Sequence, residues 1–168
     1  MKERKILVIG HQGYIGSKLI EVLNKNGYVC FGLDKGYFKN GILYDPTEIK
    51  SLNKDVWTID EKDIASFQAV IMLAAMSNDP FGNLSADDVY NPTRLYTKRI
   101  AKICKKTNVR FIFPSSCSIY GVSNKVVSET DNTNPQTPYS LNKVQIENDL
   151  EDLSDSNFTP IILRLATL

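Results

Sequence analysis

Short apolar runs alternate along this chain with stretches of helical period. Ile6-Leu7-Val8-Ile9 is a continuous apolar run closed by Gly10, which is how a parallel strand buried on both faces reads. From Ile15 the apolar positions Ile15, Leu19, Ile20, Val22 and Leu23 recur at helical spacing, and Asn26-Gly27 supplies a stop. Tyr28 to Leu33 then reads as a second strand ending at Asp34. Ala69 to Leu73 and Val109 to Phe113 are further β-rich runs, separated by a helix predicted from about Thr93 to Lys106. A helix from about Ser140 to Leu153 precedes a last strand over Pro160 to Leu165. Lys35 to Lys54 reads as a loop with one short strand around Ile49 to Leu52, and Ser123 to Pro138 as a polar loop beside the site. This alternation predicts right-handed βαβ units and an α/β fold, a doubly wound parallel sheet with helices on both faces, in one domain over residues 1–168.

Composition narrows the function classes. Twenty Lys and Arg stand against 19 Asp and Glu, a net charge of +1 with no charged run, so no electrostatic footprint for nucleic acid is expected. No stretch approaches the roughly 18 apolar residues of a spanning helix. Met1 to Lys5 leads straight into a strand, without the pattern of a signal peptide, so no membrane association and a cytoplasmic location are expected. Cys30, Cys104 and Cys117 form no CxxC pair, and the single His11 cannot build a metal site. Cys30 and Cys104 are expected as small buried hydrophobes.

In open parallel sheets ligands bind beyond the carboxyl ends of the strands. The first such loop is Gly10-His11-Gln12-Gly13-Tyr14-Ile15-Gly16, with glycines every three residues between a strand and a helix. Alone, the string describes an ordinary glycine-rich turn. Between a strand and a helix the three glycines allow, in turn, a tight bend, close approach of backbone to a pyrophosphate, and close packing of helix on sheet. Asp34, 18 residues after Gly16 at the end of the second strand, is placed to accept both ribose hydroxyls of an adenosine. Its charge would repel a 2′-phosphate, which favours NAD; the adjacent Lys35 leaves NADP as the alternative. A Rossmann fold follows from the two together.

Tyr139 and Lys143 lie four apart on one face of a predicted helix, downstream of Ser115-Ser116 at a strand end. A free phenol titrates near ~10, and about 4 kcal/mol of preference for phenolate would bring it near neutrality. A cation at ~4 to 5 Å in an effective dielectric near 20 supplies about that much. Tyr139 is thereby expected to act as general base.

The order of GxxGxxG, Leu73-Ala74-Ala75, Ser115-Ser116-Cys117-Ser118-Ile119-Tyr120-Gly121 and Pro138-Tyr139-Ser140-Leu141-Asn142-Lys143 resembles the extended short-chain dehydrogenase/reductases. Within them it is similar to the NAD-dependent epimerase/dehydratase group acting on nucleotide sugars. That resemblance implies Gly10, Gly13, Tyr14, Ile15 and Gly16 at the pyrophosphate, Asp34 at the ribose, Asp55 and Val56 at the adenine, and Leu73, Ala74 and Ala75 lining the cofactor. It implies Ser116, Tyr139 and Lys143 as catalytic residues, Lys143 also holding the cofactor ribose, with Ser77, Ser116 and Tyr139 at the substrate. Asn91 matches a helix Asn of the group. Cys117 and Ser118 occupy the positions where dehydratase members carry Asp-Glu, which disfavours dehydration and favours epimerisation. Met72 replaces a customary His before Leu-Ala-Ala.

The resemblance also implies a homodimer and a nucleotide-sugar substrate. Members run about twice this length, so a C-terminal substrate domain is expected to be absent from this chain. The alternatives are a net NAD-dependent dehydrogenase or ketoreductase and a non-catalytic dinucleotide-sensing protein.

Overall fold

The computed structural model describes residues 3–37, 41, 47–76 and 86–166. The first apolar run forms β1 (Lys5–Ile9), followed by α1 (Tyr14–Lys25) and β2 (Val29–Leu33). Next come a two-residue strand β3 (Lys50–Ser51), a single helical turn α2 (Glu61–Ile64) and β4 (Ala69–Met72). The long helix α3 (Ala86–Thr107) leads to β5 (Arg110–Ser116), a 3-10 turn (Cys117–Tyr120), α4 (Pro138–Glu151) and β6 (Ile161–Leu165).

All strand pairings within the sheet are parallel, in the order β3-β2-β1-β4-β5-β6. Strand order reverses between β1 and β4, so a crevice opens beyond their carboxyl ends, where Gly10 and Leu73 lie. Alternation along the strands divides the core. Leu7, Ile9, Val70, Met72, Phe111 and Phe113 face Ile100, Cys104, Ile146 and Leu150 on one side. Ile6, Val8, Cys30, Ala69 and Ile71 pack with Ile20 on the other. Each fully buried Leu, Ile or Phe contributes about 1.5–3 kcal/mol, which is why β1 and β4 carry no polar position between their ends. Cys30 and Cys104 are buried free thiols, as expected, and burial pushes Cys104 up to about 12.

Several boundaries differ from the sequence reading. Helix α3 starts at Ala86, well before Thr93. Pro92 suggests a helix start, yet it sits inside the helix, which forgoes one hydrogen bond there, while Asp87 and Asp88 in the first turn complement the helix dipole. Strand β5 runs on through Pro114 to Ser116. Pairing with β4 ends at Ile112, whereas pairing with β6 continues to Ser116, so a residue without an N–H is tolerated at 114. Helix α4 begins at Pro138 because Thr137 caps it, exchanging hydrogen bonds with Ser140 while Pro138 fills the first position. The turn α2 has no counterpart in the sequence periodicity; Asp60 and Asp63 form its capping box.

Candidate active site

The glycine loop folds tightly over the ends of three strands. Gly10 has φ +91° and donates its N–H to the Leu33 carbonyl at 2.8 Å, while Leu73 and Ala74 both donate to the Ile9 carbonyl. A Cβ on Gly10 would lie 2.8 Å from both Ala74 Cα and Leu73 C, so the backbones of two strand ends can approach only because this position has no side chain. Gly16 serves packing: a Cβ there would meet Gly10 O and the His11 backbone. Gly13 has only Gly10 O near it, at 3.4 Å, and is the N-cap of α1. No side chain caps that helix and no acidic residue occupies its first turn, which leaves its dipole available to an anion.

Asp34 organises the neighbouring turn. Its Oδ2 accepts from Gln12 N and its Oδ1 from Gly36 N, both at 2.9 Å. Each oxygen keeps a further lone pair for a ligand hydroxyl. His11 is buried beneath the loop, its Nε2 3.1 Å from Ser51 Oγ and its ring over Gly32, where a Cβ would collide with it. Burial pulls the imidazole below its usual range, against the raising influence of the Leu33 carbonyl and Asp34.

Gly10, Gly13, Asp34, Asp55, Val56, Leu73, Ala74 and Ala75 line one cavity of about 530 Å³. Lys35 and Asp55 form an ion pair at this cavity; it holds the Asp55 carboxyl below the usual range and the Lys35 ammonium above it. Trp57 and Tyr96, an edge-to-face pair with centroids 5.6 Å apart, also line it and are not among the residues that sequence motifs single out. The signal available is the lone Trp directly after Asp55-Val56.

Tyr14, Ile15, Ser116, Tyr139 and Lys143 line a second cavity of about 340 Å³, and Leu73, Ala75 and Met76 belong to both. The structure thus brings together all the sequence-identified residues except three. Gly16 lies behind the loop. Ser77 lies outside the described residues. Asn91 is exposed on α3, donates to Asp87 Oδ1 of its own helix at 3.2 Å and lines neither cavity.

Ser116 ends β5 and caps the following 3-10 turn, its Oγ accepting from Ser118 N at 3.2 Å. Tyr139 stands at the start of α4 with its ring against Tyr90, centroids 6.3 Å apart, and lines the same cavity as Ser116. Lys143, one turn on, is only 6% exposed. Its Nζ donates to the Pro114 carbonyl at 2.8 Å and lies 5.6 Å from the centre of the Tyr139 ring.

The electrostatics differ from the sequence expectation. Burial pushes the Tyr139 phenol up, and the neighbouring Ser116 hydroxyl offsets this only in part. Burial likewise pulls Lys143 down, to about 8, against the raising influence of Glu147. Desolvation thus opposes both charged forms, and the protein's own groups leave the phenol neutral at pH 7. Ser115 Oγ, on the wall of the second cavity, is buried without a hydrogen-bond partner among the described residues. An unpaired buried hydroxyl at the wall, the glycine cradle and the free lone pairs of Asp34 together fit a dinucleotide laid across the two cavities.

Among the described residues no group of His, Cys, Asp and Glu could hold a metal ion, and no helix is long and apolar enough to cross a membrane.

D-erythronate dehydrogenase of Haemophilus influenzae is 28% identical, the match covering 98% of this chain and 55% of the relative. UDP-glucose 4-epimerase of Lactobacillus helveticus is 30% identical over 85% of this chain and 45% of the relative. The crystal structure of UDP-glucuronic acid 4-epimerase from Bacillus cereus, in complex with UDP-glucuronic acid and NAD, superposes with a TM-score of 0.81 at 26% identity, covering 95% of this chain and 55% of that one. The chain spans about half the length of the curated relatives it matches. A family pattern described as NAD dependent epimerase/dehydratase matches residues 6–168, and the chain belongs to that family.

Proposed function

We propose that this chain is the cofactor-binding and catalytic part of an NAD-dependent, epimerase-type oxidoreductase acting on a nucleotide sugar. The observation that carries the reading is the convergence of Ser116, Tyr139 and Lys143 on one cavity that shares Leu73, Ala75 and Met76 with the glycine-loop cavity. Bound NAD would supply a reversible hydride acceptor. The adenosine half would lie against Asp34, Asp55 and Val56, the pyrophosphate over Gly10, Gly13, Tyr14 and Ile15, and Lys143 would hold the second ribose. Asp34 and the engagement of Lys35 by Asp55 favour NAD over NADP, since Lys35, the cation next to Asp34 in the chain, is already paired and not available to a 2′-phosphate.

Ser116 and Tyr139 would hold the substrate hydroxyl between them. As the phenolate, a form that the charged Lys143 ammonium and the positive charge of bound NAD would favour over the neutral phenol, Tyr139 would take the hydroxyl proton and return it when the hydride comes back. The positions after Ser116 are Cys117 and Ser118, which provide no carboxylic acid and base for eliminating water, so inversion of a stereocentre with no net redox change is the favoured outcome. A net dehydrogenase is the second reading, favoured by the similarity to D-erythronate dehydrogenase. We further read the protein as a cytoplasmic homodimer that pairs through α3 and α4; the three free cysteines suit a reducing compartment.

The test is turnover of a panel of UDP-sugars by the protein carrying any segment that follows Leu168. Inversion without accumulation of NADH, lost by about two to four orders of magnitude in Tyr139→Phe, supports the reading. Stoichiometric NADH release selects the dehydrogenase, and turnover unchanged by Tyr139→Phe refutes the assigned base.

A further inference from the structure

A second buried ion shares α4 with Lys143. Glu147 is 3% exposed and follows Lys143 at i+4, the spacing at which an ammonium and a carboxylate meet along one helix face. The two do not pair. Lys143 Nζ turns to the Pro114 carbonyl, whereas the Glu147 carboxylate is taken by Arg164 of β6. Arg164 Nη2 donates to Oε2 at 2.8 Å, and its Nε lies 3.2 Å from Oε2 and 3.4 Å from Oε1. The guanidinium is fixed from its other side, where Nη1 donates to the Tyr120 hydroxyl at 2.6 Å and to the Glu129 carbonyl at 3.0 Å. Arg164 therefore ties β6 and α4 to the 3-10 turn that follows Ser116. Leu165 and Ala166, the next two residues, line the Ser116–Tyr139–Lys143 cavity.

A buried carboxylate requires a cation. A planar guanidinium held at four points satisfies it better than a flexible ammonium does. We propose that Arg164 is a positioning residue for Lys143: by occupying the Glu147 carboxylate it prevents a Lys143–Glu147 pair and leaves the ammonium at the Pro114 carbonyl, facing the cavity. The inference rests on the reading of Lys143 as a ligand of NAD. Without Arg164, the cation one turn away on the same helix is Lys143, and Glu147 draws it out of the site.

A charge-specific rescue tests this. NAD affinity is measured by calorimetry for the wild-type protein and for Lys143→Met, Arg164→Met and Arg164→Met/Glu147→Gln, with folding checked by circular dichroism. Arg164→Met is expected to weaken binding about tenfold, the size of one charged hydrogen bond, and to approach Lys143→Met. Removing the competing carboxylate in the double variant is expected to restore most of that loss, which a role confined to tying β6 to its neighbours would not do. A double variant no better than Arg164→Met overturns the proposal while leaving Lys143 as a ligand. Wild-type affinity in Lys143→Met overturns the Lys143 reading and the proposal together. If Arg164→Met does not fold, Arg164→Lys carries the same test: a smaller loss, recovered with Glu147→Gln, supports the proposal, and no loss or no recovery overturns it.

Discussion

Replacing Lys143 by Met removes a charge 5.6 Å from the Tyr139 ring while keeping much of the side chain's length. At that distance and an effective dielectric near 20, the ammonium favours the phenolate by about 3 kcal/mol. That corresponds to about two pKa units for a phenol at position 139 that titrates below about pH 8, where Lys143 is still charged. The sign reverses nowhere, but the size depends on pH. Lys143 sits near 8, so its help is complete well below pH 8 and fades as the ammonium deprotonates. Because burial already pushes the phenol up, the natural residue titrates where Lys143 has lost its proton and does not report the ammonium's effect. A tyrosine fluorinated heavily enough to titrate below about pH 8, installed at position 139, brings the transition into the range where Lys143 is charged, and fluorine NMR reads it directly. The expected result is an upward displacement of about two units in the NAD-saturated Lys143→Met protein relative to wild type. A displacement below about half a unit would mean that Lys143 does not act on the phenol electrostatically, and the assignment of its charge to catalysis would be wrong.

Asp34→Asn replaces one acceptor oxygen with a donor, so either Gln12 N–H or Gly36 N–H faces an amide NH₂; denaturant titration should show a loss of about 1–3 kcal/mol, and calorimetry weaker NAD binding. Gly10→Ala places a Cβ against the Ala74 and Leu73 backbone at φ +91°, which should cost about 1–2 kcal/mol for the left-handed conformation and about 1–3 kcal/mol more for overpacking, read by the same titration. Gly32→Ala drives a Cβ into the His11 ring and should destabilise by about 1–3 kcal/mol, a loss largely recovered in His11→Ala/Gly32→Ala because the two positions share one space.

The parts of this molecule that sequence makes legible are those written in local periodicity. β1 and β4 read correctly because strands buried on both faces must be apolar throughout, and the turn between β1 and α1 because the chain bends there at a glycine of positive φ. Tyr139 and Lys143 share a face because helical spacing alone places them there. What stays hidden depends on elements meeting in space. Glu147 and Arg164 are 17 residues apart and look like unrelated charges until β6 comes to lie beside α4. Trp57 reaches Tyr96 only after α3 crosses the sheet. The start of α3 is obscured because Pro92 resembles a helix opening, and the end of β5 because tolerance of Pro114 depends on where the neighbouring strand stops. The charge state of Tyr139 is hidden for the same reason: the i+4 cation is visible in sequence, whereas the burial that opposes it is not.

Whether the glycine loop and Asp34 form a site for NAD is decided by calorimetric titration of the protein with NAD and with NADP. One NAD is expected to bind per chain, with NADP at least about tenfold weaker because its 2′-phosphate meets the Asp34 carboxylate, and with NAD affinity lowered in Asp34→Ala. No binding heat with NAD and no rise in melting temperature in its presence, or a preference for NADP, would contradict the assignment.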